Sequence, residues 1–101
     1  KKLYQAVMEK VTSWREKHPN IGLVVGATQE KEIKEIAQIT KNTPLLVPGV
    51  GAQGGDLKAV IENLYSNNIL LINVGRAVLY AENPKQAAEN YALEMKKIAG
   101  F

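Results

Sequence analysis

The chain has 101 residues, 46% of them apolar and 23% charged, and thirteen basic against ten acidic side chains give a net charge of +3. This composition is that of a soluble globular domain with one modest core. It excludes a disulfide framework and thiolate metal sites, because there is no cysteine, a membrane span, because no apolar run approaches ~20 residues, and a nucleic-acid groove, because the scattered lysines have no aromatic residues among them.

Leu3, Ala6, Val7, Val11 and Trp14 recur at helical spacing, so residues 2–17 read as an amphipathic helix with that stripe inward. His18, Pro19 and Asn20 end it, since proline disfavours the helical conformation in the residue before it. The run GLVVGA at 22–27 is short, apolar and bounded by glycines, and predicts a strand buried on both faces. Thr28 is placed to cap the next helix, with Glu30 and Glu32 near its positive end. Ile33, Ile36, Ala37 and Thr40 mark that helix's inner stripe, and Asn42, Thr43 and Pro44 break it.

The pattern then repeats. LLV at 45–47 is a strand, PGVGAQGG at 48–55 a loop, and 56–66 a helix with Leu57, Val60, Ile61 and Leu64 inward and Asp56 at its N-cap. ILLINV at 69–74 is a third strand, followed by a short helical turn, GRAVLY. Asn83 caps a last helix with Pro84 at its first position. Ala87, Ala88, Tyr91, Met95 and Ile98 form the inner face of that helix.

The order is therefore α-(βα)3 with an extra turn in the last unit, and strands alternating with helices imply a parallel sheet with right-handed crossovers. A (β/α)8 barrel takes ~250 residues, so residues 1–101 read as a single segment, less than half of one. The chain lacks an initiator methionine and starts inside a helical pattern, which leads us to expect an internal piece of a longer chain.

In parallel α/β folds ligands bind at the carboxyl ends of the strands. Three loops fall there: Ala27-Thr28, residues 48–55 and Gly75-Arg76. Glycines let backbone N–H groups approach an anion, and a guanidinium can grip phosphate oxygens with two parallel bonds. Arg76 is one of two arginines in the chain and follows a strand, where barrel enzymes often hold a phosphate. By contrast His18, the single histidine, falls at the opposite end of the first strand and reads as surface. Trp14 reads as core or interface, and Lys96 and Lys97 as solvated helix surface near a helix C-terminus. No metal-ligand cluster and no nucleophile-and-base arrangement can be assembled from these residues.

The segments LLVPGVGAQGGD and NVGRAVLYAENP, with NIGLVVGAT before them, resemble the C-terminal part of orotidine 5′-monophosphate decarboxylase over Asn20 to about Ala99. The resemblance implies a (β/α)8 barrel of which these are the last three units. It implies a cytoplasmic, cofactor-free and metal-free enzyme that removes CO2 from orotidine 5′-monophosphate to give uridine 5′-monophosphate. Gln53 would match the glutamine spanning phosphate and pyrimidine, and Arg76 the phosphate-gripping arginine, with a backbone N–H of Gly75 or Arg76 beside it. Pro48 and Val50 would match the apolar wall near the base. The family's catalytic Asp-x-Lys-x-x-Asp motif is absent, for Asp56 is the only aspartate. The resemblance thus places no catalytic residue in this chain. It implies that the chain alone is inactive, that its partner is the remaining N-terminal part of the barrel, and that the full enzyme is a homodimer. A noncatalytic phosphate-ester-binding or half-barrel assembly module, and another sugar-phosphate lyase of the same superfamily, remain alternative readings.

Overall fold

A computed structural model describes residues 2–26, 29–49, 57–66 and 68–100. Helix α1 (Leu3–Trp14) leads into strand β1 (Leu23–Val24), and three βα units follow: β1 with α2 (Glu30–Ile39), β2 (Leu45–Val47) with α3 (Leu57–Leu64), and β3 (Leu70–Ile72) with the short α4 (Arg76–Leu79) and the long α5 (Pro84–Ala99). The strands pair in parallel in the order β1-β2-β3, with Leu23 and Val24 against Leu45 and Leu46, and Leu45, Leu46 and Val47 against Leu70, Leu71 and Ile72. Parallel neighbours need a crossover, and α2 and α3 supply the two. The α-(βα)3 order expected from the pattern of apolar runs is the one found.

Side chains alternate across a strand, so each strand divides its residues between two faces. Leu45, Val47 and Val25 are buried against the helices, in one cluster with Ile33 and Ile36 of α2 and Leu57, Val60, Ile61 and Leu64 of α3. The expected inner stripes of α2 and α3 are thus correct. The opposite face is bare: Val24, Leu46 and Leu71, aligned by the strand register, are 67, 39 and 63% exposed. This corrects the expectation of a strand buried on both faces. The apolar run is that of a two-sided strand, but among the described residues the core cluster lies on one side only.

Helix α1 is also corrected. Its buried residues are Met8 and Val11, with Tyr4 packed on the core, whereas Leu3, Val7 and Trp14 are exposed. On the inward side the Tyr4 hydroxyl donates to Glu35 of α2, while the Thr12 hydroxyl donates within its own helix to Met8 O at 2.8 Å. The Tyr4–Met8–Val11 side thus faces the core and the larger apolar residues lie outside. In α5 four of the five expected inner residues face the core, and none is fully buried. Ala87, Tyr91, Met95 and Ile98 are half-buried, but Ala88 is exposed.

Caps and turns close the elements. Asn83 Oδ1 accepts from Gln86 N at 3.1 Å with Pro84 at the first helical position, as the sequence predicts. Gly100 ends α5 at φ 89°. The expected caps Thr28 and Asp56 lie outside the described residues. At the amino end of the sheet the chain is drawn tight: Asn68 Nδ2 donates to Thr43 O at 2.9 Å and also to Thr40 O. There too, a Cβ on Gly22 would stand 2.5 Å from Pro44 O, so only glycine lets β1 start so close to the turn before β2.

Candidate functional site

The carboxyl ends of the three strands bring Gly26, Pro48 with Gly49, and the Asn73-to-Arg76 segment to one edge of the sheet. Gly49 holds φ 84°, a left-handed conformation that glycine adopts without strain, so the chain turns sharply on leaving β2. Pro48, just before it, is half-buried. Val50 and Gln53, the other candidates in this loop, lie outside the described residues.

After β3 the backbone reaches Gly75, whose carbonyl accepts from Val78 N at 3.1 Å and Leu79 N at 2.9 Å to open α4. Its φ of −97° is negative, and a Cβ placed on it would meet no atom within 4 Å. Neither a positive φ nor close packing against described atoms accounts for the glycine. A bare backbone next to open space suits the close approach of a ligand. Arg76 follows as the first residue of α4 and is exposed.

The two arginines have opposite fates. Arg15 Nη1 donates to Pro19 O at 2.6 Å and to Ile21 O, and its Nη2 to Asn42 O at 3.0 Å, so its guanidinium is spent on tying α1 to the loops at the amino end of the sheet. The Arg76 side chain makes no hydrogen bond or ion pair among the described residues, and the residue is exposed at the carboxyl end of the sheet, where its guanidinium offers five N–H donors. A planar cation beside an empty backbone cradle can take an oxyanion such as a phosphate ester.

The remaining candidates fall away from this edge. His18 is exposed at the end of α1, as expected. Trp14 is 51% exposed with Lys10 Nζ 5.9 Å from its ring centroid, so it does not belong to the core. Lys96 and Lys97 are exposed in the last turn of α5. Among the described residues no group of three His, Cys, Asp or Glu side chains could hold a metal ion, and no helix is long and apolar enough to cross a membrane. A groove of about 460 Å³ runs beside β1, lined by Leu3, Val7, Met8, Val24 and Gly26 among others, and is mainly apolar.

Sequence reading missed two polar features. One is the Tyr4–Glu35 contact, also joined by Gln5 Nε2 at 3.3 Å. The hydrogen bond from Tyr4 holds the Glu35 carboxyl below its ordinary value, and the same bond pushes Tyr4 up to about 12. It lies between α1 and α2, and it joins helices. The other is Asn73 at the end of β3, for which the available signal was a lone polar residue in the run ILLINV.

The sequence profile of the family described as orotidine 5′-phosphate decarboxylase / HUMPS matches residues 1–91. The orotidine 5′-phosphate decarboxylase of Dehalococcoides mccartyi strain BAV1 is 46% identical over 92 residues, which cover 89% of this chain and 34% of that protein. The enzyme of the same name from Cupriavidus metallidurans is 41% identical over 102 residues, covering 96% of this chain and 38% of its own length. The chain thus spans about a third of the length of the curated relatives it matches. Among solved structures, the OMP decarboxylase of Leishmania donovani superposes with a TM-score of 0.86 at 33% identity, covering 100% of this chain and 40% of that one. An orotidine 5′-monophosphate decarboxylase from Methanocaldococcus jannaschii, solved in complex with the inhibitor BMP, superposes at 0.69 with 32% identity over 92% of this chain and 42% of its own. A profile matched along nine-tenths of the sequence, and a parallel sheet that superposes on decarboxylases of the same name, agree: the chain belongs to the orotidine 5′-phosphate decarboxylase / HUMPS family.

Proposed function

We propose that this chain is the C-terminal part of an orotidine 5′-monophosphate decarboxylase, the last three units of a (β/α)8 barrel, and that it supplies the phosphate- and pyrimidine-binding side of the site. The observation that carries this reading is the pair at the end of β3: an unpaired Arg76 guanidinium next to a Gly75 backbone with open space around it. The bare sheet face supports it too, because the inner faces of barrel strands are filled only when all the strands are present.

In this reading Arg76 and the N–H groups beside it hold the phosphate, Gln53 bridges phosphate and pyrimidine, and Pro48 and Val50 wall the base. The phosphate does not react. Its binding energy holds the base in position and so lowers the barrier at a remote carbon. The lysine and aspartates that act on the carboxylate come from the N-terminal part of the barrel and from a second subunit, in a cytoplasmic homodimer. Asp56 is the one aspartate in the sequence, too few for the family's lysine–aspartate network, so in this reading the chain alone does not decarboxylate.

Exchange of the matching third of the Dehalococcoides mccartyi protein for this chain tests the reading. The chimaera is expected to release CO2 from orotidylate, and the 101-residue chain alone to release none. In the chimaera Arg76→Ala removes charge-assisted bonds of about 1.5–3 kcal/mol, so uridine 5′-monophosphate binds about ten- to a hundredfold more weakly. Replacement of Gln53 weakens orotidylate-type ligands more than simple sugar phosphates. Decarboxylation by the pure chain, or unchanged nucleotide affinity in Arg76→Ala, overturns the reading.

A further inference from the structure

The open face of the sheet ends, at its carboxyl edge, in a row of three residues that the strand register assembles. Asn73 N donates to Val47 O at 3.0 Å, so the parallel ladder runs one residue past β3 and the alternation of β3 continues to Asn73. Its side chain therefore stands on the face of Leu71, which the helices leave bare, and Asn73 is exposed there. One step beyond the Val47–Ile72 pair sets Pro48 beside Asn73, and two steps beyond the Val24–Leu46 pair set Gly26 beside Pro48. The row consists of a glycine with no atom within 4 Å of where a Cβ would sit, an apolar ring and a carboxamide. Below it the face is apolar: Val24, Leu46 and Leu71.

Asn73 is the polar side chain that the described strand residues offer on this face, and its carboxamide makes no hydrogen bond among the described residues. It precedes Arg76 by three residues, a span of at most ~10 Å between Cα atoms. A nucleotide whose phosphate sits at Gly75 and Arg76 carries its sugar and base one ester oxygen away. We propose that Asn73 is a specificity-determining residue whose carboxamide hydrogen-bonds the nucleoside part of that nucleotide, a role that rests on the phosphate reading given above. A carboxamide offers two N–H donors and an acceptor, which matches hydroxyls and the alternating donor and acceptor edge of a pyrimidine. Sites that hydrogen-bond a substrate group reject analogues that lack it.

The test is an NMR titration of the chimaera described above, isotope-labelled, with uridine 5′-monophosphate, ribose 5-phosphate and inorganic phosphate as separate probes. All three are expected to shift the Gly75 and Arg76 backbone resonances, whereas the Asn73 side-chain NH2 moves with uridine 5′-monophosphate and not with inorganic phosphate. Asn73→Ala then weakens uridine 5′-monophosphate binding about two- to tenfold, the range of one neutral hydrogen bond, and leaves inorganic phosphate binding unchanged, with Asn73→Gln restoring part of the loss. Retained spectral dispersion in Asn73→Ala separates lost contact from lost fold. Shifts at Gly75 and Arg76 with a silent Asn73 overturn this inference and leave the phosphate reading standing. An Asn73 response to inorganic phosphate equal to that for the nucleotide makes it a phosphate ligand and also overturns the inference. No shift at Gly75 or Arg76 with any probe overturns the phosphate reading and the inference together.

Discussion

At the scale of single residues, chemistry here is decided by who is already occupied. Arg15 and Arg76 have the same side chain, yet three carbonyls hold the first and none holds the second among the described residues. Tyr4 and Glu35 are occupied with one another, and their bond makes stability depend on pH at both extremes. The folded chain holds the Tyr4 proton up to about 12 against 10.0 for an ordinary tyrosine, so above pH 10.0 the folded state binds more protons and stability falls as pH rises. Glu35 is lowered from 4.5, so below that value the unfolded state binds more protons and stability falls as pH drops. Tyr4→Phe is therefore expected to be less stable than the parent between these limits. The gap should narrow in acid and above about pH 12, as urea midpoints across pH will show. A gap independent of pH would mean that the Tyr4 hydroxyl does not couple to Glu35.

At the scale of elements, local signals set where helices begin and end, while packing sets how they are turned. Asn83 and Pro84 announce α5 from the sequence, and the cap is present at 3.1 Å. Asn83→Ala is expected to cost about 0.5–2 kcal/mol, since the first turn of α5 loses its side-chain acceptor. A midpoint shift in chemical denaturation measures it, and an unchanged midpoint would show that α5 is held by its packing on α3 alone. Helix α1 carries the opposite lesson. Its Leu3, Val7 and Trp14 stripe has the stronger apolar signal, yet Met8 and Val11 are the buried residues. The side of α1 that meets α2 carries the Tyr4–Glu35 bond, whose partners are distant in sequence and invisible to periodicity.

At the scale of the molecule, the sheet has two edges and one bare apolar face. Val24, Leu46 and Leu71 are exposed in register, and unpaired strand edges and apolar patches favour association. The chain alone is expected to sediment as species larger than a monomer at micromolar concentrations. Leu71→Lys, at a position 63% exposed and so free of packing cost, should shift it towards monomer. A monomer of the parent chain over that range would show that the bare face does not drive association.

The order of elements, the caps of α5, the inner stripes of α2 and α3, the placing of Gly75 and Arg76 after a strand and the family resemblance are all legible in the amino-acid sequence. Each rests on a signal contained within fifteen residues or fewer: a period, a glycine-proline pair, a capping side chain, or the motifs around Gln53 and Arg76. Three features are written in no such window. They are the rotation of α1, the bareness of one sheet face, and the alignment of Asn73 with Pro48 and Gly26. They arise where segments some twenty to thirty residues apart meet, because strand register and helix packing decide which side of each element finds a partner and which is left open to a ligand or to the rest of a barrel.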